Sequence, residues 1–538
     1  MTWSRIHIYR YITDNRNPTD HYRHITNHGR RHDVLPLGRY AVSAFRRIIT
    51  VVTASAAATG LIVAVGFAPP ANAMPCSMPE ANVPPPAVPP TMPAPAPIIQ
   101  PPTGRRPPNA NDHAPMPALG PLIASLFKPP APSTRHSAPL KRQIQAETIP
   151  PGPNPAVPEQ PPNTAQHIPN TLSVLPPAPR PEPTPPPTAS IAGASTSLVE
   201  WVTGPNSPNK TLQRFGISGT DLGITWDNGD PTNHQVLMAF GDSFGYCSVK
   251  GKQWRYNILF RSSNQDLSHG IRIADGVPND KYSGSPVWTT GLAKQVVNTI
   301  HLAPHEIGII PTTAISIGKT QYMNYMSIRK WGRDGEWTTN YSAIARSIDN
   351  GQSWGIYPST IRTASPDAIP RTPFVPGNQN FQMGAFIRGN DGYLYSFGTP
   401  AGRSGAAYLA RVPQNFIPDL NKYQYWNGDG YGNWVPNNPG AATPLFSGPV
   451  GEMSAQYNNY LKQYLILYSN GSSNDVVART APAPQGPWSP EQPLVSSFQM
   501  PGGIYAPMIH PWSSGRDLYF NLSLWSAYDV VLMHTVLP

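Results

Sequence analysis

The fold is predicted from a pair of apolar runs in residues 236–263, VLMAFGDSFGYCSVKGKQWRYNILFRSS. An apolar run with aromatic residues, VLMAFGDSF, is followed by a second run, YNILFRSS, which ends in small or polar residues. Both runs are short, rich in β-formers and separated by a segment that contains glycine, as strands joined by a turn are. The pattern predicts two strands of one small sheet.

The same pair of runs recurs four more times toward the C-terminus. Five pairs predict an all-β domain, a five-bladed β-propeller over residues 197–538, because radial repetition of small sheets protects their edges. The further first runs are QYMNYMSIRKW (321–331), GYLYSFGTP (392–400), QYLILYSNG (463–471) and DLYFNLSLW (517–525). The further second runs are YSAIARSI (341–348), AAYLARVP (406–413), DVVARTAP (475–482) and DVVLMHTV (529–536).

A sharper local motif lies in the second repeat. Residues 347–354, SIDNGQSW, fit the pattern S-x-D-x-G-x-x-W and resemble the Asp box of sialidase-like propellers. We expect Asp349 to accept hydrogen bonds from the turn, Gly351 to adopt a positive φ and Trp354 to pack beneath the hairpin. These are structural tasks, so the motif predicts a folding role for Asp349.

The N-terminal part of the chain predicts export. The apolar run 48–66 follows Arg46 and Arg47 and precedes the A-x-A cleavage pattern at 71–73, which is typical of a secretory signal peptide. Residues 1–73 are therefore interpreted as an N-terminal extension with a signal peptide, and the protein as secreted or in the cell envelope. The run is also long enough to remain as an uncleaved membrane anchor, which would be the only contact with a membrane.

Residues 74–196 hold most of the 69 prolines and few large apolar side chains. Such a segment cannot bury enough surface to offset its chain entropy, so it predicts a disordered Pro/Ala-rich spacer. The two cysteines, Cys76 and Cys247, are too few for a disulfide scaffold. They either form one bridge or are two unrelated thiols.

Charge and motifs exclude several classes of function. Residues 197–538 carry 23 Lys and Arg against 21 Asp and Glu, a net of +2, so no basic face for nucleic acid is expected. The sequence has no G-x-S-x-G elbow, no phosphate-binding loop and no metal-ligand spacing, so we expect neither a cofactor nor a metal. A monomer is expected.

The densest acidic cluster lies in the first repeat. Asp221 occupies a Gly-flanked turn before one strand, and Asp242 occupies a Gly-flanked turn after the next. Strand ends of a propeller meet at the central channel, so the two carboxyl groups can converge. Glycosidases need such a pair, one to protonate the leaving oxygen and one to activate water or attack the anomeric carbon. Asp221 and Asp242 are the predicted catalytic residues.

Sugars present apolar C–H faces that stack on aromatic rings, so aromatic and polar residues near the carboxylates are predicted to bind substrate. Trp226 and the loop at 426–434 are expected at the surface. The candidate substrate-binding residues are Trp226, Asp227, Asn380, Gln382, Glu452 and Tyr505.

The first repeat also carries a family resemblance. The motifs GTDLGITWDNG…VLMAFGDSFG, with NFQMGAF (380–386), GEMSAQY (451–457) and GGIYAP (502–507), resemble an actinobacterial family of unknown function numbered 4185, associated with glycoside hydrolase family 183. The resemblance covers roughly residues 200–538. It implies a five-bladed propeller that cleaves α-1,5-linked D-arabinofuranose chains of cell-wall arabinogalactan and lipoarabinomannan. It also implies that Asp221 and Asp242 are the catalytic aspartates.

Two other interpretations remain open from the sequence. A non-catalytic propeller tethered at the wall could bind the same glycan with aromatic residues and hydrogen bonds alone. A sialidase-like hydrolase of another glycan would need an arginine cluster, for which Arg388, Arg403 and Arg411 are available.

Overall fold

The computed structural model describes residues 76, 79–82, 187–333, 335–368, 372–430 and 432–538. The predicted signal peptide and most of the predicted spacer lie outside these residues. Within the described part of the chain, no helix has both the length and the apolar character needed to cross a membrane.

The regular secondary structure of the described residues is almost entirely β-strand, which confirms the all-β prediction. The strands are β1 (Ser195–Trp201), β2 (Gly219–Thr220), β3 (Ile224–Asp227), β4 (Val236–Phe240), β5 (Ser243–Phe244), β6 (Ile258–Ser262), β7 (Val287–Thr289), β8 (Leu292–Ala293), β9 (Gly308–Ile317), β10 (Thr320–Trp331), β11 (Trp337–Ser347), β12 (Gly355–Ile356), β13 (Arg362–Thr363), β14 (Met383–Arg388), β15 (Tyr393–Thr399), β16 (Gly405–Pro413), β17 (Gln424–Asn427), β18 (Asn433–Pro436), β19 (Phe446–Asn458), β20 (Gln463–Asn470), β21 (Val476–Ala481), β22 (Gln492–Val495), β23 (Ile504–Ile509), β24 (Asp517–Leu524) and β25 (Asp529–Val536). The helices are α1 (Thr211–Phe215) and short 3-10 turns at Pro79–Asn82, Lys250–Gln253, Pro358–Thr360, Asn378–Phe381, Gln414–Phe416, Leu420–Lys422 and Pro439–Ala441.

The larger strands form five antiparallel ladders. These are β3–β4–β6, β9–β10–β11–β12, β14–β15–β16, β19–β20–β21–β22 and β23–β24–β25–β1, and β16 also pairs with β19. All ten predicted runs form strands, and the two runs of each pair are neighbours in one ladder: β4 with β6, β10 with β11, β15 with β16, β20 with β21, and β24 with β25.

The first strands of the five ladders lie next to one another in a closed series. β3 contacts β9, β9 contacts β14, β14 contacts β19, β19 contacts β23, and β23 contacts β3 again. The N-terminal strand β1 pairs with the C-terminal strand β25 in register Ser195↔Val536. The two ends of the domain are thereby held in one sheet.

The Asp-box prediction is confirmed at the turn between β11 and β12. Asp349 Oδ1 accepts the backbone N–H of Ser353 at 3.0 Å, and Gly351 has a φ of 78°. The indole of Trp354 donates to the Gly351 carbonyl and packs edge-on against Trp226, with ring centroids 6.4 Å apart. The motif therefore stabilises a hairpin next to the core.

Both ends of the predicted spacer are bound to the domain. Cys76 and Cys247 form a disulfide, which decides between the two alternatives that the sequence left open. Ala81 is buried, and its carbonyl accepts the N–H of Cys247 at 2.6 Å. At the other end, Ile191 is buried, and its N–H donates to the side chain of Gln492. Described residues near both ends of the predicted spacer, 74–196, therefore contact the folded domain.

Candidate active site

A cavity of about 760 Å³, including its opening to solvent, lies where the first strands of the ladders meet. Every one of the five ladders contributes to its lining. Its charged lining residues are Asp221, Asp242, Glu452 and Arg403, and the rest of its wall is mostly apolar. A concave, largely apolar cavity with a few convergent polar groups is the usual form of a ligand site.

The two aspartates reach the cavity because they belong to one interrupted hairpin. Thr220 is opposite Ser243 in the ladder of β2 and β5, and the ladder of β3 and β4 continues the same register. The residues next in line, Asp221 and Asp242, therefore leave the two strands at the same level. Leu222 has a positive φ of 71°, which breaks the strand at this level and turns the chain.

Gly241 leaves room for the carboxyl group of Asp221. A Cβ atom at this position would lie 2.4 Å from Asp221 Oδ1, closer than real contacts allow. The N–H of Gly241 also donates to the carbonyl of Asp221 at 3.2 Å. The residue directly before Asp242 must therefore be glycine for the Asp221 side chain to keep its place.

Asp242 is almost fully buried and is held by an indole. Trp254 Nε1 donates to Asp242 Oδ1 at 2.7 Å. The backbone of Arg255 exchanges two hydrogen bonds with Ser243, which sets the neighbouring Trp254 beside Asp242. This bond fixes the carboxyl group in one orientation at the cavity wall.

Asp221 is held by a phenol. The hydroxyl of Tyr505, at the start of β23, donates to Asp221 Oδ2 at 3.0 Å. Burial, reinforced by the charge of Asp221, raises the pKa of Tyr505 well above its usual range. Tyr505 therefore stays protonated and serves as a donor.

Glu452 is paired with Arg403, which lies between β15 and β16. The Arg403 guanidinium donates to both carboxylate oxygens, with distances of 2.7 to 3.1 Å. Only 13% and 11% of the two side chains are exposed, so the pair is shielded from solvent. Burial opposes the charge of Arg403, but Glu452 outweighs it and the pKa of Arg403 is raised. Glu452 therefore acts here as a paired anion.

The apolar wall of the cavity contains three indole rings. Trp331 and Trp337 come from the hairpin of β10 and β11, and Trp525 follows β24. The sequence pattern indicated Arg403 only as an arginine for a sialidase-like site, and it did not indicate Trp254, Trp337 or Trp525 as site residues. Their positions in hairpin turns and at strand ends resemble those of many core aromatics, so the local sequence carries little signal for them.

Two predicted binding residues lie outside the cavity lining. Trp226 is only 3% exposed and donates to Gln321 Oε1, so the prediction that it is a surface residue of the cleft is wrong. It shares the inward face of β3 with Ile224, as the alternation of apolar and polar residues in that strand indicates. Asp227 ends the same strand and accepts hydrogen bonds from His234 and Trp512.

Asn380 and Gln382 also lie outside the cavity lining. Asn380 is in the 3-10 turn Asn378–Phe381, ahead of β14. Gln382 is buried, and its amide is satisfied by Thr339 and by the carbonyls of Arg362 and Asn378. The amide braces the chain just before two lining residues, Met383 and Gly384. Of the six predicted binding residues, only Glu452 and Tyr505 line the cavity.

The arginines that a sialidase-like site would need do not converge. Arg403 is paired with Glu452, whereas Arg388 donates to the carbonyl of Ser316. Arg411 lies between the rings of Tyr393 and Trp434, 4.4 and 4.2 Å from their centroids. Among the described residues, no group of three or more His, Cys, Asp or Glu is arranged to hold a metal ion.

Comparison with known proteins identifies similar chains. The model of the family described as "Domain of unknown function (DUF4185)" matches residues 206–534. Notoamide biosynthesis cluster protein J' of Aspergillus versicolor is 29% identical over 331 residues, covering 59% of this chain and 83% of the relative. Protein J of the cluster in Aspergillus sp. (strain MF297-2) is 28% identical over 326 residues, covering 59% of this chain and 82% of the relative.

Two solved structures illustrate a distant likeness. A putative hydrolase from Bacteroides ovatus has a TM-score of 0.39 and 13% identity, covering 61% of this chain and 88% of that chain. An α-L-arabinofuranosidase from Podospora anserina, solved with cellotriose, has a TM-score of 0.33 and 12% identity, covering 63% and 96%.

Proposed function

Because this chain belongs to the DUF4185 family and its central cavity holds two aspartates at one level of a hairpin, we propose that it is a glycoside hydrolase. Asp221 and Asp242 are the catalytic pair. The observation that carries the proposal is their common register, which brings two carboxyl groups from one hairpin to one wall of the cavity.

The chemistry of glycoside cleavage matches this arrangement. One carboxyl group gives its proton to the leaving oxygen as the glycosidic bond breaks, and the other activates water or attacks the anomeric carbon. Both aspartates are fixed by aromatic donors, Trp254 and Tyr505, so neither needs to be ordered when substrate binds. Because the Glu452 carboxylate is already paired with Arg403, its proposed role is to position the substrate and neighbouring side chains.

We further propose that the substrate is an α-1,5-linked D-arabinofuranosyl chain, cut internally, as in arabinogalactan or lipoarabinomannan. The motif resemblance supports this choice, and Trp331, Trp337 and Trp525 offer ring surfaces to a neutral sugar. The five ladders are then the five blades of a propeller, with the pairing of β1 and β25 closing the ring.

The proposed place of action is outside the cytoplasm, secreted or in the cell envelope. The signal-peptide pattern supports export, and a disulfide between Cys76 and Cys247 fits an oxidising compartment. In this setting a cell-wall polysaccharide is the accessible partner.

The test is an incubation of the chain from residue 74 onward, which keeps the disulfide, with mycobacterial-type arabinogalactan. Released products are separated by chromatography for the wild type, for Asp221→Asn and Asp242→Asn, and for a control, Asp429→Asn, in the exposed turn between β17 and β18. We expect a ladder of arabino-oligosaccharides from the wild type and the control only.

Other outcomes would separate the alternatives. Binding of the polysaccharide without new reducing ends would support a glycan-binding module. Release of monomers alone would contradict an internal cut. Full activity of both aspartate variants would refute the assigned pair.

A further inference from the structure

The two aspartates stand in different electrostatic surroundings, although they share one hairpin. Asp221 receives the hydroxyl of Tyr505, and the charge of Arg403 is close enough to Asp221 for the two to interact. A donated hydrogen bond and a nearby cation both stabilise a carboxylate. Asp242 also accepts a hydrogen bond, from Trp254, but it is almost fully buried, whereas Asp221 is partly exposed. The donor, the cation and the exposure together favour the ionised form of Asp221 over that of Asp242.

The donor to Asp221 is itself held by the buried ion pair. The Arg403 guanidinium lies 4.9 Å from the ring centroid of Tyr505, a cation–π distance, and Glu452 fixes that guanidinium from the other side. Trp337 adds a second ring 5.6 Å from the guanidinium carbon. These contacts hold the planar guanidinium group of Arg403 in one position. The Tyr505 ring that packs against this group therefore has one orientation.

We propose that Glu452, Arg403 and Tyr505 form a positioning series that holds Asp221 as the carboxylate of the catalytic pair, and that Asp242 is the proton donor. This inference rests on the proposed function and assigns the two roles within it. Tyr505, Arg403 and Glu452 are positioning residues, since they act through Asp221.

The step follows from this assignment. Asp242 gives its proton to the glycosidic oxygen as the bond from that oxygen to the anomeric carbon breaks. Asp221 either attacks the anomeric carbon or takes a proton from the water that does so. In the first case the ester is later hydrolysed with Asp242 acting as base, which returns both carboxyl groups to their starting states. In the second case Asp242 ends as the carboxylate and Asp221 holds the proton, and proton exchange with solvent then resets the pair.

The role assignment is tested with two substrates. Hydrolysis of arabinan and of an aryl arabinofuranoside with a good leaving group is compared for Asp221→Ala and Asp242→Ala of the full chain. A departing phenolate needs little protonation, so Asp242→Ala should lose arabinan cleavage but keep most of the first step on the aryl glycoside. Asp221→Ala should lose both.

The positioning role is tested by a pH profile. In Tyr505→Phe the acidic limb of kcat/KM should move upward by about one pH unit and kcat should fall roughly tenfold or more, since a donor to a charged group is lost. The titratable and charged groups of the cavity lining around Asp221 are Asp242 from the turn of β4 and β5, Tyr505, and Arg403 with its partner Glu452. Arg403→Lys keeps the positive charge but loses the planar guanidinium group. It should therefore move the acidic limb of kcat/KM upward by a smaller amount than Tyr505→Phe does.

Tyr468→Phe is the matched control. Its hydroxyl also donates to a carboxylate, Glu491, at 2.6 Å and also lies beside an arginine, Arg479, but outside the cavity lining. Its pH profile should equal that of the wild type, and circular dichroism should show that all variants fold.

The outcomes separate this inference from the proposed function. Wild-type protein that cleaves no glycan would overturn the function itself. An active wild type in which Asp221→Ala is the variant that keeps aryl glycoside cleavage would reverse the roles. An unchanged acidic limb in both Tyr505→Phe and Arg403→Lys would remove the positioning series.

Discussion

The indole N–H of Trp254 donates to Asp242 Oδ1 across 2.7 Å, and both residues are buried. Asp242 lies in the tight turn between β4 and β5, and Trp254 follows the loop that leaves β5. The loop that follows β5 therefore folds back, and Trp254 at its end binds the carboxyl group of Asp242 in the preceding turn. Asp242 depends on this contact for its orientation.

Trp254→Phe keeps an aromatic ring and removes the N–H donor. A hydrogen bond to a neutral group contributes about 0.5–1.5 kcal/mol, so we expect kcat on arabinan to fall roughly twofold to tenfold with little change in KM. Steady-state kinetics on a defined oligosaccharide measures this. Trp488→Phe is the control, because its indole donates to the carbonyl of Pro484, away from the cavity. Equal kinetics for the two variants would contradict the role of Trp254.

Gly241→Ala tests the position of the Asp221 carboxyl group. The added Cβ would meet Asp221 Oδ1 at 2.4 Å, so Asp221 must turn away from its present position. We expect a loss of activity of at least tenfold with a small change in thermal midpoint, since a side chain near the cavity can shift at modest energetic cost. Gly355→Ala serves as the comparison, because a Cβ there meets nothing within 4 Å. Wild-type activity in Gly241→Ala would show that the observed position of Asp221 is dispensable.

The buried carboxyl group of Asp529 predicts a pH-dependent stability. Burial raises the pKa of Asp529 well above its ordinary value, although Thr203 donates a hydrogen bond to it. The unfolded chain releases this proton at lower pH than the folded protein does. The free energy of unfolding therefore falls as the pH rises from about 4 through the folded pKa, and the contribution of Asp529 is intact only below its unfolded pKa.

Asp529→Asn removes this group at nearly constant shape. Its thermal midpoint should gain on that of the wild type as the pH rises from about 4 toward 8, and the gain should level off above the folded pKa. Differential scanning calorimetry at several pH values measures the difference, in which the titration of other groups cancels. A difference that is independent of pH would contradict the prediction.

The disulfide predicts how the chain behaves after proteolysis. Trypsin can cut the Pro-rich segment after Arg135, Lys141 or Arg142. Because Cys76 is bonded to Cys247, the N-terminal fragment should stay attached to the domain until a reductant is added. Electrophoresis of the digest with and without reductant shows this directly. In Cys76→Ser the fragment should separate in both lanes, and its separation from the wild type without reductant would contradict the bond.

The strands could be predicted because their signals are local. Runs such as Val236–Phe240 and Asp529–Val536 contain β-branched and aromatic residues between turn residues, and they form strands at the predicted places. Asp349 could be understood in the same way, since its hydrogen-bond partners lie within four residues of it.

The errors have an equally physical origin. Trp226 was expected at the surface because it neighbours Asp227, but adjacent residues of a strand point to opposite faces. Gln382 carries a polar amide that the structure uses to satisfy buried carbonyl groups. The side-chain type alone does not say which of these uses applies.

Local sequence patterns were sufficient to predict the all-β class, the positions of the repeated strands and the Asp-box turn. They also indicated Asp221 and Asp242 as candidate catalytic residues. Each of these depends on contacts between residues close in the chain, for which propensity, alternation and turn chemistry are sufficient. The side chains that surround those two aspartates are known only from the tertiary structure. Tyr505 reaches Asp221 across 284 residues of sequence, and Arg403 reaches Glu452 from another ladder. Such contacts are set by the order and register of whole sheets, which no short stretch of sequence contains.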